Sequence, residues 1–301
     1  MGFPDAELPL TDSSPCVLID TERADASPGL SGSVASSTRR KIPLLQLAGF
    51  VATIVVVGLL CSLLVKPWIH HLSWWKVFRR CVSISSLIAL WVFMRYLHRQ
   101  PIRSLGLGAW RAGKRPLLQG VITGFGGALL LAGIYLASGA CHIVVSLDDA
   151  KLWGTVIGFL PGAVLVATLE ELIFRGYVLR QLLAYSAPLA IATSSAAYAL
   201  VHMPTVFEWP GTGLELVGLA ILGGVLALSA LRTGQLYAAI GLHAALSYCA
   251  RVNKLLLGFP YPNLQWLVGT NRLVNGVIAW FILLIIGLFI ARKIRVLSSR
   301  E

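Results

Sequence analysis

Charge is what this chain has least of. Only 13% of its 301 residues are Asp, Glu, Lys or Arg, while 56% are hydrophobic; ordinary globular domains carry about 25% charged residues. That balance excludes a water-soluble single-domain enzyme. Paired cysteine spacing is lacking too. Cys16, Cys61, Cys81, Cys141 and Cys249 lie far apart, four of them in or beside apolar segments, and they read as small packing residues. No H-E-x-x-H helix occurs, and no phosphate-binding loop: Gly124-Phe125-Gly126-Gly127 and Gly223-Gly224 follow no strand-like segment and read as packing glycines at helix contacts. The formal charge of +12 sits between apolar runs with no aromatic-basic motif beside it. It suits topology determinants and anionic lipid, not nucleic acid. No internal repeat suggests the two halves of a transporter.

Long apolar runs are what the chain does have. A helix of roughly 20 apolar residues crosses about 30 Å of hydrocarbon, and such runs recur at 44–65, 77–94, 117–145, 161–183, 187–203, 216–231, 236–249 and 273–291. The expected architecture is all-α, a polytopic membrane protein with about eight transmembrane helices and the lipid bilayer as its surroundings. Residues 1–41 read as a disordered cytoplasmic tail, since Ser, Pro, Gly and acidic residues dominate there and few large apolar side chains could offset ordering entropy. Thr38-Arg39-Arg40-Lys41 superficially suggests a twin-arginine leader. The apolar run continues to Val65 without a small-x-small cleavage site, so an uncleaved first span with a basic flank is expected. Placing the amino terminus inside puts the larger share of the basic residues in the cytoplasm, which predicts both termini there.

Ionisable side chains inside apolar helices need partners or a wet cavity, because a charge near the bilayer centre costs at least about 2.5–3.5 kcal/mol. Five residues meet that description: Glu170, Glu171 and Arg175 in the fourth run, His202 ending the fifth and His243 inside the seventh. Arg175 follows Glu171 by one helical turn, so these two can pair, while Glu170 points about 100° away and is left free as an acid-base group. Tyr198 lies one turn before His202, and Ser247 one turn after His243. Each group alone has a bland alternative: a packing ion pair, an interfacial histidine, a helix–helix hydrogen bond. Depth arithmetic lets the groups meet. Counted at 1.5 Å per residue from Pro161 and from Ala187, Glu170 and His202 fall at overlapping levels of the layer. A fourth helix starting at Trp153 would carry Glu170 to the face opposite His202, so a break at Leu160-Pro161-Gly162 is expected.

Glu170-Glu171-x-x-x-Arg175, Tyr198-x-x-x-His202 and His243-x-x-x-Ser247, in this order between Pro161 and Cys249, resemble the CPBP family of intramembrane endopeptidases, related to CAAX prenyl proteases and bacteriocin-processing enzymes. The resemblance implies that residues 151–255 are a catalytic helix bundle, with 42–150 accessory spans and 256–301 a last span and basic tail in a bacterial inner membrane. It implies glutamate and histidine catalysis without a cofactor. Glu170 and His202 would activate water, Glu171 and Arg175 complete the first motif, and His243 with residue 247 would stabilise the oxyanion. The substrate would be a membrane-associated protein or peptide. Two positions depart from the family pattern: Tyr198 stands where phenylalanine is usual and Ser247 where asparagine is usual. The serine hydroxyl is shorter than an amide and donates one hydrogen bond.

Three alternatives stay open at this stage. Glu170, His202 and His243 would supply a zinc site with one open position. The same Glu and His groups would relay protons in a proton-coupled transporter. Ser247 would mark a catalytically silent membrane scaffold. A Ser247–His243 nucleophile pair is disfavoured, since nothing orients or activates that hydroxyl.

Overall fold

The computed structural model describes residues 31–145, 148–204, 206–270 and 272–293. Residues 1–39 and 40–301 form two units. The helices in chain order are α1 (Ser31–Val65), α2 (Trp74–Val92), α3 (Trp110–Ala137), α4 (Asp149–Glu171), α5 (Leu179–Leu182), α6 (Ala187–Val201), α7 (Gly211–Thr233), α8 (Tyr237–Leu256), α9 (Gln265–Val268) and α10 (Val277–Lys293). Wider π-helical turns extend α2 through Phe93–Leu97 and join α4 to α5 through Leu172–Val178. The one strand pair, among the described residues, joins His142–Ile143 to Leu257–Gly258, tying the chain after α3 to the end of α8.

The protein is an all-α polytopic membrane protein. Among the described residues, five helices are long and apolar enough to cross a membrane: Pro43–Trp68, Trp74–Leu97, Trp110–Ala137, Ala150–Leu182 and Gly211–Thr233. Two further apolar helices are shorter, Ala187–Val201 and Val277–Arg292. Each of the eight expected runs falls mainly on helix, although the spanning length is reached by fewer of them and the run at 117–145 outlasts α3, which ends at Ala137. The expected tail lies outside the described residues up to position 30, and from Ser31 the backbone is helical. Helix propagation adds a hydrogen bond for each residue fixed, so a span extends upstream into polar sequence once nucleated.

One expectation is overturned. No break occurs at Leu160-Pro161-Gly162; α4 passes through Pro161 as a helix that starts at Asp149. Proline costs the helix one backbone hydrogen bond, a loss that membrane helices accommodate. The 33 residues of Ala150–Leu182 amount to about 50 Å, more than the roughly 30 Å of hydrocarbon. Depth therefore cannot be counted from where this helix begins.

α8 runs through the centre. Every residue from Ala238 to Leu246 is buried, against α3 on one side and α4 and α7 on others. Its alanines and glycine make that burial achievable. A Cβ on Gly120 of α3 would collide with Ala238 O of α8, and one on Gly241 of α8 would collide with Leu117 O of α3, so the two backbones touch. The expected packing role holds for Gly124, Gly127 and Gly223, where an added Cβ would come within 2.7, 2.7 and 2.9 Å of neighbouring atoms. It does not hold for Gly126, with open space around it, or for Gly224, where the contact would be ordinary.

Candidate active site

α4 with the π-helical turn that follows it, the end of α6, and α8 bring the five ionisable residues together. Glu171 and Arg175, both essentially inaccessible, pair through Arg175 Nη1 and Glu171 Oε1 at 2.9 Å, the one-turn spacing expected of them. Arg175 Nη2 donates to Gly223 O at 3.1 Å, across to α7. That carbonyl is reachable because Gly223 lets α7 approach the backbone of Ser195 on α6, where a Cβ would sit 2.9 Å from Ser195 Cα. The guanidinium also lies 4.6 Å from the ring centroid of Tyr198, a cation–π contact in a buried setting. The same Glu171 Oε1 accepts from His243 Nδ1 at 2.9 Å. Glu171 is thus the shared anion of Arg175 and His243, and the network locks α4, α7 and α8 together.

Glu170 is rotated away from that pair and is partly open, with 24% of its side chain exposed. Its Oε2 lies 3.6 Å from His202 Nε2 and 3.7 Å from His243 Nε2. Both separations exceed a direct hydrogen bond yet leave no room for water between the atoms; a water in contact with all three would have to sit beside them. Among the described residues this oxygen is buried without a hydrogen-bond partner. His202 donates from Nδ1 to Tyr198 O, one turn back, at 2.8 Å. The carbonyl can only accept, so Nδ1 carries a proton and Nε2 is the ring atom that faces Glu170. α6, with 15 residues and about 22 Å of rise, stops short of a full bilayer crossing and presents His202 at its carboxyl end.

Tyr198 Oη meets His243 Nε2 at 3.3 Å, and the ring is buried against Phe174 and His202. Where phenylalanine is usual, only a phenol makes this bond. Ser247 follows a different course. Its hydroxyl donates to Ala244 O of its own helix at 3.2 Å, and among the described residues its hydrogen bond joins none of the other five candidates. The Gly223 carbonyl went unseen in the sequence, as a backbone acceptor leaves no residue signature. The π turn at 172–178, which holds Arg175, likewise has no composition cue; such turns cluster at functional sites.

Residues 152–249 match the Rce1-like family, described as type II CAAX prenyl endopeptidase Rce1-like. That match supports the resemblance to the CPBP family over this segment. The matched residues include all three motifs, from Glu170 to Ser247. Neither the curated proteins nor the solved structures gave a match. Among the described residues, no three His, Cys, Asp or Glu side chains gather into a group able to hold a metal ion.

Proposed function

We propose that the protein is an intramembrane endopeptidase of glutamate type that hydrolyses a peptide bond of a membrane-associated protein or peptide. One observation carries this reading: Glu170 Oε2, without a hydrogen-bond partner among the described residues, lies 3.6 and 3.7 Å from the Nε2 atoms of two histidines borne by different helices. Water held among Glu170, His202 and His243 gives a proton to the Glu170 carboxylate as its oxygen bonds to the scissile carbonyl carbon. The carbonyl π pair moves onto oxygen. The C–N bond then breaks, and the proton passes from Glu170 to the departing amine. His202, with Nδ1 committed to Tyr198 O, presents an acceptor that orients the water. His243, whose Nε2 lies 3.7 Å from the same Glu170 oxygen, would face the developing oxyanion when protonated there. Glu171 and Arg175 are the framework that fixes His243, and Ser247 is not needed for the step.

The test uses protein purified in detergent and a quenched fluorescent peptide ending in a prenylated cysteine and three further residues. Glu170→Gln and His202→Ala are expected to lower kcat/KM by about 10²- to 10⁴-fold. Wild-type cleavage by either variant overturns the proposal. A chelator should leave the rate unchanged; loss of activity restored by zinc would convert Glu170, His202 and His243 into ligands. Proton-coupled uptake into proteoliposomes, abolished by Glu170→Gln without proteolysis, would establish a transporter instead. Partner binding that survives loss of all five ionisable groups, with no cleavage, would establish the silent scaffold.

A further inference from the structure

Tyr198 touches both histidines, by different atoms. Its backbone carbonyl accepts from His202 Nδ1 at 2.8 Å, and its phenol meets His243 Nε2 at 3.3 Å. The phenol matters because His243 is otherwise held from one side only. Its Nδ1 donates to Glu171 Oε1, so the neutral ring has a lone pair at Nε2 and the cationic ring has a proton there. A carboxylate can serve only the cationic form. A hydroxyl serves both: it donates to the lone pair of the neutral ring and accepts from the proton of the cation. Ser247, the other hydroxyl one turn away on α8, is committed to Ala244 O.

We propose that Tyr198 is a positioning residue whose phenol acts as a reversible donor and acceptor for His243 Nε2, so that this buried imidazole keeps a hydrogen-bond partner whether it is neutral or protonated. The inference rests on the glutamate-protease reading of the same site. The groups facing His243 are Glu171 and Glu170 from α4, Arg175 through Glu171, and Tyr198 from α6. Of these, only Tyr198 can switch between donating and accepting with both carboxylates ionised.

Tyr198→Phe keeps the ring that packs on Phe174 and Arg175 and removes only the hydroxyl. With the prenylated reporter peptide, kcat should fall by about ten- to a hundredfold with KM little changed, because an unpaired imidazole nitrogen in a buried site is costly. The pH–rate profile should shift at the same time. Tyr135→Phe is the control. Tyr135 is equally buried, and its hydroxyl has no hydrogen-bond partner among the described residues, so loss of that phenol should leave kcat and the profile unchanged. A second readout needs no substrate: in ¹⁵N-histidine spectra, the His243 Nε2 resonance, assigned through His243→Gln, should move in Tyr198→Phe and stay fixed in Tyr135→Phe. Wild-type kcat and pH profile in Tyr198→Phe, or an unmoved Nε2 resonance, overturns the inference while an inactive Glu170→Gln leaves the protease reading intact. Activity in Glu170→Gln would bring down that reading first, and the spectrum would still decide the Tyr198–His243 bond.

Discussion

Arg175 and Glu171 show what burial does to an ion pair. Neither is solvated, and both make further contacts, Arg175 with Gly223 O and Glu171 with His243. Removing one member strands the other as an uncompensated charge, a change that typically costs about 3–5 kcal/mol. Arg175→Ala should therefore lower the midpoint of thermal unfolding in detergent sharply, whereas Glu170→Gln, at a partly open position, should barely move it. The contrast separates framework from chemistry: destabilisation by Glu170→Gln as large as that of Arg175→Ala would refute the division of roles between adjacent glutamates. The sequence supplied that division from helical geometry, since neighbours on a helix face about 100° apart.

Helix contacts depend on where small residues fall. Gly120→Leu would drive a side chain into the α8 backbone at Ala238, and overpacking of this kind costs about 1–3 kcal/mol or more. Gly126→Leu, on the same helix with open space around the position, should change stability by no more than about 0.5 kcal/mol. Parallel thermal melts of the two variants check this, and equal losses would refute the α3–α8 packing. A pH dependence belongs to the end of α2. His98, just past the spanning segment, meets Tyr177 Oη at 3.3 Å and accepts from Gln181 Nε2 at 3.2 Å, and burial holds its pKa below the ordinary histidine value. The unfolded chain then binds more protons than the folded one between the lowered value and about 6.5, so stability from this site is lost as pH falls through that window. Melting temperature should drop between pH 7.5 and 5.5, and His98→Gln should flatten the drop. An unchanged slope in that variant would remove His98 as the cause.

Over the whole molecule, we propose an even number of crossings with both termini in the cytoplasm, the side to which the distribution of basic residues points. Reporter fusions should therefore read cytoplasmic at both ends and the opposite side near Trp68 and Met203. Opposite readings at the two termini would require an odd span count and a different helix order around the site. The match to the Rce1-like family covers residues 152–249 only. That region takes in α6 and α7 and most of α4 and α8, the helices that carry every candidate group, and α3 supports it by touching the α8 backbone.

Residue chemistry and local periodicity were sufficient for the membrane class, the helix-by-helix location of each apolar run, the Glu171–Arg175 pair and the independence of Glu170, because these depend on composition and on spacing within one turn. The convergence of Glu170, His202 and His243 was decided by tertiary structure. Proline did not end α4, a backbone carbonyl at Gly223 took up the arginine, and Tyr198 rather than Ser247 reached the second histidine. Those outcomes follow from how closely glycines let helices approach and from which atom fills each polar vacancy between them, and neither is encoded in the spacing of residues along a single helix.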